Sequence, residues 1–179
     1  ATLWLAETPD KDLVVFKEWI GTKDGDNKGL MMSADQVAKT IKTIEEKNNI
    51  APYFAPSDPA IWGKQNVGDS IGEIFQNNGL LMERANNDRI MGTQQLHMRL
   101  TINDLTSKPK LFFTKDCPIT LQAMQNIQVD KRNPEVYDTT GFDHPVDALR
   151  YAVMAKTLIQ GDIYEPESFG ERETDSQIF

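Results

Sequence analysis

Cysteine is nearly absent: Cys117 stands alone, beside Pro118 and outside any CxxC context. One thiol cannot close an internal disulfide or build a thiolate zinc site, so a reduced compartment is the expected setting and Cys117 reads as a small buried side chain. Long apolar runs are missing too. No stretch approaches the roughly 18 to 20 residues of a membrane span, and no basic segment leads into an apolar one as in a signal peptide. The expectation is a soluble, non-secreted protein with no membrane partner. Positive charge is in deficit, 19 Lys and Arg against 27 Asp and Glu, a net charge of −8. That argues against a general nucleic-acid coat, because phosphate binding draws its affinity from Lys and Arg. It leaves room for an acidic enzyme that holds a divalent cation on carboxylates and touches a nucleic-acid backbone through a local basic track. Internal repeats and low-complexity blocks are absent.

What is present is an alternation of elements. Residues 1 to 7 (ATLWLAE) and 12 to 20 (DLVVFKEWI) are β-rich runs about the turn Thr8-Pro9-Asp10-Lys11, which predicts an antiparallel hairpin. Gly21 to Gly29 reads as a loop. Ser33-Ala34-Asp35-Gln36 has the form of a capping box, and Val37, Ile41 and Ile44 carry a helix to Lys47-Asn48-Asn49. A short strand is expected within Ile50 to Ala60, ending at Asp58-Pro59-Ala60. A helix over residues 68 to 78, closed by Gly79, and a strand over Leu80 to Glu83 follow. Asn87-Asp88 introduces a helix through His97 and Leu100, within a segment reaching Leu105. Residues 110 to 114 (KLFFT) read as a strand and residues 118 to 128 as a helix, with Leu121, Met124 and Ile127 on one face. After a turn-rich stretch from Asp130 to Gly141, the last helix runs to about Ile159. The tail, residues 161 to 179, lacks periodicity and is expected to be flexible or an interaction tail. With 179 residues, the remaining 1 to 160 fit one domain with a sizeable core. A hairpin followed by alternating strands and helices predicts an α/β fold with a mixed sheet.

The chemistry concentrates in FDHPVDALRYA, Phe142 to Ala152. Asp143 and Pro145 mark a helix entry, and Val146, Leu149 and Val153 repeat at helical spacing, so Asp143 and Asp147 should share one face. Two carboxylates beside an apolar stripe are costly to half-bury without a cation or a hydrogen-bond network, which makes the pair a candidate divalent-metal site. Asp143 is equally a helix cap; Asp147, one turn inside the apolar run, is harder to explain as a solvated residue. Asp58, at the end of a strand, is placed either to face a ligand or to make an ordinary Asp-Pro turn. His144 lies between the helix acids, where a role beside a metal competes with a structural role at the helix entry; His97 reads as a packed or partly exposed helix residue. Candidate phosphate contacts are Lys108, Lys110, Lys115, Lys131 and Arg132, each also a plausible solubilising charge. Trp4, Trp19 and Trp62 read as core or rim residues.

This order, a hairpin, a helix, a strand ending in Asp58-Pro59-Ala60 and a late helix opening with DHPVDALRYA, resembles the C-terminal nuclease domain of a tailed-bacteriophage terminase large subunit. The resemblance covers residues 1 to about 156, and its most specific part is the DxxxDALRY-like segment. It implies an RNase H-like fold over residues 1 to 160, shared with Holliday-junction resolvases and retroviral-type integrases. It further implies a Mg²⁺- or Mn²⁺-dependent endonuclease, with two ions, that cuts concatemeric double-stranded viral DNA during packaging in the cytoplasm of the infected bacterium. The implied partners are double-stranded DNA, the terminase ATPase domain, the small terminase subunit and the portal protein. Carried over by position, Asp58 would be the second catalytic acid and Asp147 or Asp143 the third. The family's first acid lies on the strand before the hairpin, which a chain opening at Ala1 is expected to lack; Glu7 and Glu18 are poor substitutes, better suited to solvent or a salt bridge. No GxxxxGK[ST] motif occurs, so ATP hydrolysis is not expected. Two other readings stand beside this one: a non-catalytic RNase H-like module docking DNA, a portal ring or a motor subunit, and a resolvase- or transposase-type nuclease.

Overall fold

The computed structural model describes residues 1–22, 28–63, 68–103 and 106–158. The expected loop from Gly21 to Gly29 lies partly outside these residues; Leu105, Ile159 and the expected tail lie wholly outside. The hairpin is formed by β1 (Thr2–Glu7) and β2 (Leu13–Trp19), antiparallel, with a register shift between Trp4 and Leu5. Leu13 and Val15, at 2% and 0% exposure, lie in one core with Leu3 and Leu5 packed against it, while Trp4, at 4%, lies in a second core with Phe16, so the period-2 alternation serves two cores.

Ser33 caps α1 (Ala34–Lys47) with the expected box: its hydroxyl accepts from Gln36 N at 3.2 Å and the Gln36 side chain accepts from Ser33 N at 2.8 Å. A second box, between Ser70 and Glu73, opens α2 (Ile71–Asn77), so this helix starts three residues later than Gly68. Between the two helices β3 (Ala55–Ser57) is shorter than the expected run from Ile50. Pro52 removes a backbone donor early in that run, and Pro59 ends it by opening a 3-10 turn over Pro59–Trp62. The strand after α2, β4 (Met82–Arg84), sits two residues later than Leu80 and runs parallel to β3. Asp88 caps α3 (Arg89–Leu100), accepting from Met91 N at 2.9 Å, and the helix stops at Leu100 rather than continuing. β5 (Leu111–Phe113) joins β2 in parallel, and α4 (Pro118–Asn126) follows, ending two residues short of Gln128.

Among the described residues two sheets result, β1-β2-β5 and β3-β4. The last helix, α5 (His144–Ala155), packs against α3, α4, β1 and β3. Its Val146, Leu149 and Val153 are at most 1% exposed and meet Leu13, Val15, Leu96, Leu111 and Cys117 in the larger core. A second cluster gathers Trp4, Ala38, Ile41 and Leu80 under α1. The architecture is mixed α/β. No helix among the described residues is long and apolar enough to cross a membrane.

Candidate functional site

Asp58 follows directly on β3 and is exposed. One carboxylate oxygen, Oδ1, accepts from Ala60 N at 2.8 Å and so caps the 3-10 turn; the other, Oδ2, accepts from the Tyr151 hydroxyl at 2.9 Å. Turn capping and a contact to α5 therefore coexist in one residue.

Asp147 and Tyr151 lie one helical turn apart on α5. The Asp147 side chain is 27% exposed. Its Oδ1 accepts from the Tyr137 hydroxyl at 2.5 Å, from Arg150 Nε at 3.0 Å and from Arg150 Nη2 at 3.0 Å, while none of its hydrogen bonds among the described residues falls on Oδ2. Arg150 is 2% exposed, and its guanidinium also lies 4.4 Å from the Tyr151 ring centroid. There is room for it because α3 carries Gly92 here: a Cβ at that position would stand 2.5 Å from Arg150 Cγ. Tyr137 is gripped from a third side by Arg89, whose Nη2 donates to the Tyr137 carbonyl at 2.7 Å. Burial, and then the hydrogen bond to Asp147, push the Tyr137 phenol well above its usual range. Burial and Asp58 push Tyr151 up to about 12. Both phenols are therefore donors at neutral pH; hydrogen bonds join Tyr137, Asp147 and Arg150, and Arg150 meets Asp58 indirectly, through the face of the Tyr151 ring whose hydroxyl donates to Asp58.

Asp143 does not cap α5 with its side chain. It occupies the position before His144 with helical backbone angles (φ −101°, ψ −13°), its carboxylate takes no capping hydrogen bond, and only its backbone carbonyl serves the helix, accepting from Asp147 N at 2.9 Å. The side chain is turned inward instead, at 6% residue exposure. Burial first, and the Asp147 charge second, raise its pKa above the usual carboxylate range. His144 Nδ1 is 3.5 Å from Asp143 Oδ1, but the His144 side chain is 60% exposed and its ring meets Phe142 edge-on.

The other acids have structural partners. Glu7 pairs with Lys156 at 2.8 Å, and Glu18 accepts from Ile119 N, Thr120 N and Thr120 Oγ1 at the start of α4. Of the basic candidates, Lys110 is tied to the β1–β2 turn through the Asp10 carbonyl at 2.8 Å and Asp12 at 3.3 Å. Lys108, Lys115, Lys131 and Arg132 are exposed and distributed over three loops. His97 is exposed in the last turn of α3. Sequence reasoning passed over Tyr137, Arg150, Tyr151 and Gly92. The spacing Asp147, Arg150, Tyr151 held a signal for two of them, since i+3 and i+4 neighbours of a half-buried acid are its natural partners.

Carboxylate oxygens are the donor type that a hard divalent cation takes. Asp147 Oδ2 is left over by its neighbours, and Asp58 is an exposed carboxylate linked to the same helix face. Mg²⁺ characteristically keeps several waters and binds through one or two carboxylates. Among the described residues no three His, Cys, Asp or Glu side chains gather as a metal cluster. Comparisons with family models, with curated proteins and with solved structures gave no match.

Proposed function

We propose that the chain is a metal-dependent endonuclease domain of RNase H-like type, cutting concatemeric double-stranded DNA as part of a phage genome-packaging terminase. The observation that carries this reading is the hydrogen bond from Tyr151 to Asp58, which ties the strand-end acid to the face of α5 that holds Asp147. The sequence resemblance implies catalytic roles for Asp58 and for Asp147 or Asp143. A Mg²⁺ or Mn²⁺ ion bound by them would polarise a phosphodiester and lower the pKa of a bound water. Asp147 offers Oδ2, because Tyr137 and Arg150 fix the carboxylate through Oδ1; Tyr151 orients Asp58; Asp143 and His144 stand beside them as co-ligand and neighbour.

The sheets add support for an RNase H-like arrangement. Among the described residues β1 and β3 are each paired on one side only, and α5 packs against both. One further strand, antiparallel to β1 and parallel to β3, would merge the two sheets, and the resemblance implies that such a strand brings the remaining acid. The implied motor partners (ATPase domain, small subunit and portal) belong to the same proposal.

A plasmid-nicking assay with Mn²⁺ tests it, comparing the intact protein with Asp58→Ala and Asp147→Ala. Each substitution is expected to lower the rate by orders of magnitude; equal rates in all three would overturn the catalytic assignment. A second reading, a non-catalytic docking module, is favoured by one observation: both acids already have ordinary protein partners, a turn for Asp58 and an arginine for Asp147. That module would bind DNA or a motor subunit without responding to metal. Cutting confined to branched junctions would instead mark a resolvase-type nuclease.

A further inference from the structure

We infer that Arg84 is a contact for a nucleic-acid backbone phosphate, at the same end of the smaller sheet as Asp58. The inference rests on the nuclease reading and adds a substrate contact to it. Ser57 and Arg84 are partners in the parallel β3-β4 ladder, and Ala85 N donates to the Ser57 carbonyl at 2.9 Å. Asp58 and Arg84 therefore emerge at the same carboxyl end of two neighbouring parallel strands, the end at which open α/β sheets bind ligands.

The guanidinium is also held in place. It lies 5.5 Å from the centroid of the Trp62 ring, and Trp62 belongs to the 3-10 turn that Asp58 caps. The ring in turn packs on α2 at Gly72, where a Cβ would stand 2.5 Å from Trp62 Cε3. A guanidinium over an aromatic ring keeps its N–H groups in its own plane, free to take a phosphate in bidentate fashion. Arg84 is exposed, and none of the ion pairs among the described residues uses it. Arg89 and Arg150, by contrast, spend donors on the Tyr137 carbonyl and on Asp147. In a chain of net charge −8, a cation at the same sheet end as a strand-end carboxylate, and outside the ion pairs among the described residues, is suited to offset the repulsion between that carboxylate and a polyanion.

Fluorescence anisotropy of a labelled DNA duplex tests this, with the intact protein in EDTA so that nothing is cut, over a series of salt concentrations. Arg84→Gln is expected to weaken binding about tenfold at low salt and to make the salt slope shallower by about one unit. Gly72→Ala, which changes no charge, is expected to weaken binding in part by displacing the Trp62 ring, with circular dichroism confirming a folded protein. Trp62 emission should shift when DNA binds to the wild type and not when it is added to Arg84→Gln. Wild-type binding with an unchanged slope in Arg84→Gln would overturn the role of Arg84 alone. Failure of the wild type to bind duplex would overturn the nuclease reading beneath it.

Discussion

A guanidinium only 2% exposed must have its charge answered inside the protein, and Arg150 finds that answer 3.0 Å away at Asp147. Removing one partner of such a pair strands the other, so Arg150→Met should cost about 3 kcal/mol in urea unfolding. Gly92→Ala should cost about 1–3 kcal/mol, because the new methyl meets Arg150 Cγ at 2.5 Å. The two substitutions act on one contact, so the double variant should cost less than the sum of the single ones; simple additivity would show that Gly92 does not make room for Arg150. Asp143 behaves in the opposite sense. Burial raises its folded pKa, so the folded state binds this proton more tightly than the unfolded chain. The stability linked to it is greatest below the unfolded carboxylate pKa and is lost as pH rises through the folded value. Asp143→Asn should therefore stabilise the metal-free protein at neutral pH and lose that advantage in acid. Added Mn²⁺ should narrow the gap at neutral pH, since a cation would favour the ionised carboxylate only in the parent. A pH series of denaturation curves with and without Mn²⁺ reads both effects.

Helix α4 shows how an element can depend on a residue far away in sequence. Cys117, in its capping position, gives it no side-chain hydrogen bond, and Glu18 on β2 supplies the missing acceptors at 2.8 Å to Ile119 N and 2.7 Å to Thr120 N. Glu18→Ala should cost about 1–2 kcal/mol and speed hydrogen exchange at Ile119 and Thr120 well before global unfolding. Unchanged exchange at those amides would show that Pro118 alone starts the helix. The same contrast between local and distant causes separates what was legible in the sequence from what was not. α1 was readable because its capping box and its apolar spacing lie within a few residues, and the hairpin because its turn chemistry is local. β3 was overestimated since Ile50 and Phe54 are apolar but support the smaller core from outside the ladder or pack on Tyr53 at 4.7 Å between rings. The candidate acids stood out by type and position. The partners that constrain them did not: Tyr137 lies in a turn-rich stretch with no periodicity, and Arg84 matters only through a strand register that no local pattern announces.

At the scale of the molecule, α5 spans two sheets that share no strand pairing among the described residues. Its buried Val146, Leu149 and Val153 couple it to the larger core, while Tyr151 reaches Asp58 beyond the smaller sheet. That polar contact, the packing of α5 on β3, and the smaller core, where Trp4 of β1 shares a cluster with Leu80 and with Met82 of β4, hold the two sheets in one arrangement around the acids. Strand edges left open are costly because each unpaired N–H and C=O must be satisfied by water, and a strand placed between β1 and β3 would satisfy both edges at once. A version carrying the strand that the proposed fold requires between β1 and β3 should therefore protect backbone amides in β1 and β3 from hydrogen exchange. Its melting midpoint should rise by several degrees, given that 1 kcal/mol corresponds to roughly 2–4 °C at this chain length. The rise should be accompanied by tighter Mn²⁺ binding in calorimetry if the added strand brings a carboxylate to Asp58 and Asp147. Protection without a change in Mn²⁺ affinity would fit the docking-module reading, because the sheet would be completed while the acids remained a turn cap and an ion-pair partner. Absence of protection in both strands would mean that the edges of β1 and β3 do not share one slot, and the RNase H-like arrangement would fall with it.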